Sequence, residues 1–242
     1  MKFSLIKITA ASFFLLIITI ESRIILAGDS TTVPFSSQSS ERFFTSFSFG
    51  MGVSYSDNSS LLNFIETDVD GYSQIPNDQK LSSFSSGILF FGSAERQVHK
   101  NFSVKGEYSY FIKSIDIPSN QNYQYSYYSH QMILNVNYLI PQKYSYFKFG
   151  LGGGYLLTDF TRKYITAETE YTSSGPAVKF EITFNAQLGK NAATYLSGFL
   201  LKSFMSDLKD KNGKYLSNNL TDRVNLSSFG AGIKLGLELY FF

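Results

Sequence analysis

The stretch Phe229-Gly-Ala-Gly-Ile-Lys-Leu-Gly-Leu-Glu-Leu-Tyr-Phe-Phe242 decides the fold. Phe229, Ala231, Ile233, Leu235, Leu237, Leu239 and Phe241 hold one phase of it, and Gly230, Gly232, Lys234, Gly236, Glu238 and Tyr240 the other. Successive side chains of a β-strand point to opposite faces, so this is a strand with one apolar and one polar face. A tilted strand needs only about 10 residues to cross an outer membrane, and this segment is long enough. A soluble amphipathic strand would alternate in the same way, so the remainder of the chain has to decide.

The beginning of the 242-residue chain reads as an export signal. Lys2 and Lys7 precede an apolar run, Ile8 to Ile20, that is shorter than the roughly 20 residues a membrane helix needs. Residues 1–27 are therefore expected to be a cleaved signal peptide, with cleavage after Ala27, followed by a Ser/Thr-rich periplasmic leader over 28–44 and a barrel over 45–242. The chain has 21 Lys+Arg and 19 Asp+Glu. Lys2, Lys7, Arg23 and Glu21 belong to the signal, which leaves 18 basic and 18 acidic residues in the mature part. A neutral chain without a basic run gives no electrostatic case for nucleic-acid binding. The absence of cysteine removes disulfides, thiol catalysis and a lipoprotein anchor together. Seventeen Tyr and 24 Phe suit a barrel with aromatic girdles at both membrane interfaces.

Seven further segments read as strands. Thr45 to Tyr55 sets Phe47, Phe49, Met51, Val53 and Tyr55 against serines and glycines, small enough for the crowded interior of an eight-stranded barrel. Ser82 to Ala94, Phe102 to Ile112, Tyr127 to Leu139, Tyr144 to Leu157 and Val178 to Leu188 follow. The last of these alternates most cleanly, with Lys179, Glu181, Thr183, Asn185 and Gln187 inward. Ala193 to Met205 is ambiguous. Tyr195, Phe199 and Leu201 are taken as outward there, because the other phase turns Lys202 toward lipid at about 2 to 4 kcal/mol if it lay at the midplane. Short links at 95–101, 140–143 and 189–192 alternate with long polar ones at 56–81, 113–126, 158–177 and 206–223, as periplasmic turns alternate with extracellular loops. The fold expected is all-β: an eight-stranded antiparallel transmembrane β-barrel with both termini periplasmic.

With its signal peptide, its glycine-rich fifth strand Phe147-Lys148-Phe149-Gly150-Leu151-Gly152-Gly153-Gly154-Tyr155 and its terminal Leu239-Tyr240-Phe241-Phe242, the chain resembles the small eight-stranded outer-membrane barrels of the OmpA-transmembrane and opacity-protein kind. The resemblance covers about Thr45 to Phe242. It implies insertion by the barrel assembly machinery, which reads a terminal aromatic signal, here Leu239, Tyr240, Phe241 and Phe242. Such barrels carry the terminal Phe in the apolar phase, whereas here that phase is set by Phe241 and Phe242 falls in step with Lys234 and Glu238.

The inward set Lys105, Glu107, Lys148, Lys179, Glu181, Lys202, Lys234 and Glu238 reads as a salt-bridged lumen plug, with Glu181 and Lys202 pairing across strands six and seven. A small-solute channel with a gated, charged lumen is the alternative. Eight strands fill their own interior, whereas water-filled porins use about 16 to 18, which favours the plug. A lipid-modifying enzyme is the weaker rival: His99 lies in a short turn, and His130 near the loop end of strand four has no serine partner at a persuasive spacing. Glu66-Thr67-Asp68-Val69-Asp70-Gly71 matches a calcium loop only in part, since its twelfth position is Asn77, and is read as a solvated acidic loop. The Tyr-rich stretch 122–128 serves either a surface contact or the outer girdle. No cofactor and no metal are expected. The partners expected are outer-membrane lipid and lipopolysaccharide, the assembly machinery and a host or phage ligand at the loops, with the chain a monomer whose role is structural or adhesive.

Overall fold

The computed structural model describes residues 43–70, 72–74, 84–116, 122–142, 145–189, 191–218 and 222–241. The signal peptide, most of the leader and Phe242 lie outside them. Eight long strands form the described barrel: β1 (Thr45–Asp57), β2 (Phe84–His99), β3 (Phe102–Asp116), β4 (Tyr123–Pro141), β5 (Ser145–Tyr164), β6 (Ala167–Gln187), β7 (Ala192–Ser203) and β8 (Phe229–Phe241). Each pairs antiparallel with its neighbours in sequence. The ring closes where β1 meets β8, Thr45 opposite Phe241 through Asp57 opposite Phe229.

Closure leaves no free sheet edge along the barrel and turns one phase of every strand outward. That phase is apolar: Met51, Leu134, Val136, Leu151, Ile233 and Leu235 are each more than half exposed. No helix among the described residues is long and apolar enough to cross a membrane, and strands do not need one. Aromatic pairs edge the band near the short turns, Phe47 with Phe241 at 5.8 Å, Phe102 with Tyr138 at 5.4 Å and Phe147 with Phe184 at 4.9 Å between ring centroids. Toward the other end Tyr110 stacks on Tyr128 at 6.3 Å.

Three departures from the expected strand plan matter for the interior. β2 runs on to His99, so Glu95 is a barrel residue and not part of a turn. β3 extends to Asp116, which brings Lys113 onto the inner face. The polar segment 158–177 is mostly strand: β5 and β6, of 20 and 21 residues, form a long hairpin turned at Ile165, whose φ is 54°. These lengths are about twice what a membrane crossing requires, so the hairpin rises past the apolar band at the end opposite the short turns.

At that loop end the first long connection folds into α1 (Ser59–Asp68). Asn58 caps it by accepting the Leu61 N–H at 2.9 Å. Leu61, Phe64 and Ile65, at i, i+3 and i+4 spacing, form one buried face. That face packs with Tyr125, Leu156 and Phe160 of the wall and with Leu208, Leu216, Val224 and Leu226 of the last connection. The two connections close the loop end as one apolar cap.

Candidate functional site

The lumen is filled in layers that can be followed up the strands from the turn end. Phe44, Leu139, Tyr146, Ala193 and Tyr240 form the first layer. Phe44, assigned to the leader on sequence, is 1% exposed and accepts the Gln97 N–H on its carbonyl at 3.0 Å, so it belongs to the barrel's own packing. The second layer is ionic. The third is apolar again, Leu89, Phe111 and Phe199, and the loop cap lies above it.

The ionic layer contains Lys105, Lys148, Lys179 and Lys234 with Glu95, Glu107, Glu181 and Glu238, none more than 3% exposed. Lys148 Nζ sits 2.9 Å from Glu95 and 2.9 Å from Glu238. Farther in, three ammoniums converge on two carboxylates: Lys105 lies 2.5 Å from Glu181, Lys179 2.7 Å from Glu107, and Lys234 2.7 Å from Glu107 and 3.0 Å from Glu181. The first group carries one excess negative charge and the second one excess positive, so the layer as a whole is neutral. Hydroxyl and amide donors occupy the remaining lone pairs. Ser103 and Asn137 donate to Glu95, Ser46 and Asn185 to Glu238, Ser109 to Glu107, and Thr183 and Tyr195 to Glu181. Rings flank the cations, with Lys234 Nζ 4.8 Å from the Phe91 centroid and Lys148 Nζ 5.6 Å from that of Phe44.

Seven of the eight residues expected in the lumen meet there, and Lys202 does not. β7 takes the phase opposite to the one expected: Tyr195, Ser197 and Phe199 are buried, while Leu196, Leu200 and Lys202 face out. Lys202 stands opposite Val178 and Phe229 at the loop end of β7, its ammonium 5.9 Å from the Phe204 ring, so the expected pair with Glu181 does not form. The cost that argued against this phase applies at the membrane midplane and falls to about 0 to 1 kcal/mol near an interface. Tyr195 needs the lumen for its phenol, which donates to Glu181.

The inward glycines of β5 serve packing. A Cβ at Gly152 would run into the Leu134 carbonyl oxygen, and one at Gly154 would meet the Met132 carbonyl oxygen. Ile133, Asn135 and Asn137 of β4 occupy the space those missing side chains leave.

The acidic segment of the first connection is not a free solvated loop. Asp68, at the end of α1, accepts from Arg162 Nε and Nη2, at 2.6 and 2.5 Å, and from the Tyr125 hydroxyl at 2.8 Å. Asp70 accepts from Tyr123. Tyr123 and Tyr125 are thus buried latches for α1, while Tyr128 stacks on Tyr110 in the outward phase. In the last connection the backbone N–H of Lys214, with that of Asn212, holds the partly exposed Asp210 carboxyl below the usual aspartate range. His130 bonds the Tyr108 hydroxyl at 2.7 Å on the outward face, and His99 packs against Phe102.

A closed antiparallel ring of eight strands, apolar outside and filled inside, defines a β-barrel of the outer-membrane type. One comparison with a solved structure supports that class. A major outer membrane protein from Thermus thermophilus superposes with a TM-score of 0.50 at 10% identity, over 81% of this chain and 99% of that one. Neisserial surface protein A gives 0.48 at 10%, over 82% and 97%. Ail, the attachment invasion locus protein of Yersinia pestis, gives 0.45 at 14%, over 82% and 98%. At such identities the likeness is one of fold. No protein-family model and no curated protein sequence matches the chain.

Proposed function

We propose that the protein is a closed scaffold in a bacterial outer membrane that displays a folded loop surface for recognition or adhesion, and that it neither conducts solutes nor catalyses a reaction. The observation that carries this reading is the lumen, occupied from Phe44 to the α1 cap by aromatic, ionic and apolar layers in turn. A wide pore would need either more strands or an unpaired lining. The loops favour display. Leu208, Leu216, Val224 and Leu226 anchor the last connection, while Lys209, Lys211, Lys214 and Arg223 stay exposed on it. Rigid scaffolds that present ordered polar connections are where recognition commonly sits.

In this reading the short turns face the periplasm and α1 faces out. The assembly machinery reads Leu239, Tyr240, Phe241 and Phe242, and the outward band meets phospholipid and lipopolysaccharide. A host or phage surface is the partner proposed for the loops. An epitope inserted at the exposed Gly213 should label intact cells, whereas one at the exposed Asn191 should label only after permeabilisation. The reverse pattern would overturn the orientation and, with it, display at the loops.

A further inference from the structure

Among the described residues, Lys113 is the one buried cation without a counter-charge. It is 7% exposed and faces inward on β3, above Phe111 and below Ile115, which are 3% and 8% exposed. Lys105, Lys148, Lys179 and Lys234 each have a carboxylate oxygen within 3.0 Å. Arg162 has Asp68. The ionic layer is already neutral within itself, so no surplus glutamate there is left to serve Lys113. Directly across the β3–β4 ladder stands Tyr127, whose ring meets Phe111 edge-on at 5.6 Å. Tyr127 also packs against both the middle apolar layer and the loop cap. The neighbours of Lys113 along its own strand and across the β3–β4 ladder are therefore aromatic and aliphatic, with one phenol.

Taking an ammonium out of water without a partner is costly, and the cost is relieved either by giving up the proton or by a counter-charge. We propose that Lys113 marks a binding site for a small organic monocarboxylate, the carboxylate on the ammonium and the apolar body among Phe111, Tyr127 and Ile115. The surroundings select for this class. A highly charged anion such as phosphate would find a single cation, whereas a carboxylate with an aromatic or aliphatic body matches both the single charge and the apolar walls. The roof is a separable element: α1 meets the wall through an apolar face and the Asp68 bonds to Arg162 and Tyr125. Entry from the loop end needs that roof to lift and leaves the ionic layer beneath it undisturbed. A site reached only from that end is compatible with a lumen that does not conduct.

The test uses the refolded full chain, benzoate as the probe and benzamide as its uncharged isostere. The folded fraction is followed by the mobility difference between unboiled and boiled samples as denaturant is raised. Ligand that binds only the folded state multiplies the folded-to-unfolded ratio by about tenfold when its concentration is ten times the dissociation constant. Benzoate should do this for wild type and for Lys113→Arg, benzamide should not, and Lys113→Met and Lys113→Gln should lose the response. Each variant is compared with itself at zero ligand, so a change in its intrinsic stability does not enter. No response of wild type to benzoate, an equal response to benzamide, or an undiminished response in both Lys113→Met and Lys113→Gln would overturn the site. Surface labelling at Gly213 is independent of all these outcomes, so display at the loops stands or falls separately.

Discussion

Charge removal at Glu181 should be among the most damaging single changes in the barrel, and charge removal at Lys234, which touches the same carboxylate, among the mildest of the ionic layer. Lys105, Lys179 and Lys234 face only Glu107 and Glu181. Glu181→Gln keeps the shape and leaves three ammoniums around one carboxylate. Removing one partner of a buried ionic group costs about 3 to 5 kcal/mol because the charges left behind are uncompensated. At 1.4 kcal/mol per power of ten, the folded-to-unfolded ratio should fall by about two to four orders of magnitude. Lys234→Met instead leaves two cations for two anions in this group, at the expense of the layer's overall neutrality, and places an apolar chain where Phe91, Tyr195 and Phe199 already surround the ammonium. It should cost less than Glu181→Gln, because no ammonium is left without a carboxylate. Denaturant titration in detergent, read by heat-modifiable migration, measures both. Equal losses, or a greater loss for Lys234→Met, would refute the reasoning from charge balance.

Other substitutions probe the remaining links. Ile182→Lys puts a charge on the outward face of β6 within the apolar band and should cost about 2 to 4 kcal/mol, whereas Lys202→Leu at the end of β7 should change stability by no more than about 1 kcal/mol; the opposite order would reverse the assignment of faces. Gly154→Ala should impair barrel formation because its Cβ would meet the Met132 carbonyl, while Gly198→Ala, with nothing within 4 Å, should fold like wild type in the same migration assay. Asp68→Asn should release α1, seen as faster proteolysis between Ser59 and Asp68 with the barrel's migration unchanged; equal protection would mean that the apolar face of α1 holds it without the latch.

Strand number, the outward faces of β1, β4, β5, β6 and β8 and the alternation of short and long connections can all be read from the sequence, because a period of two is set by the backbone itself. The phase of β7 cannot be read from periodicity, since both of its faces are largely apolar. The deciding signal is the phenol of Tyr195, which has to find a polar partner, and it outweighs the position of Lys202 at the strand end. Glu95 is hidden by its polar neighbours Arg96 and Gln97, which suggest a turn. The inward phase through Leu89, Phe91 and Ser93 nevertheless continues to it. The α1 cap is hidden by its acidic end, although Asn58 followed by Leu61, Phe64 and Ile65 at helical spacing is a capped amphipathic turn. Where β5 and β6 pass beyond the apolar band, no lipid selects an apolar face. Their sequence there has the polarity of a loop while the backbone stays paired from Thr158 opposite Ser173 to Tyr164 opposite Ala167.

The filled lumen is the central claim, and the most direct measurement of it is single-channel recording on purified wild-type protein inserted in planar bilayers, with heat-modifiable migration confirming that the inserted material is folded. Layers closed by Phe44, by four lysines paired with four glutamates and by the α1 cap predict a flat baseline, with no long-lived conductance steps across the voltage range the bilayer withstands. Reproducible, long-lived steps whose open probability changes in Glu181→Gln would contradict the account and make a gated channel the function.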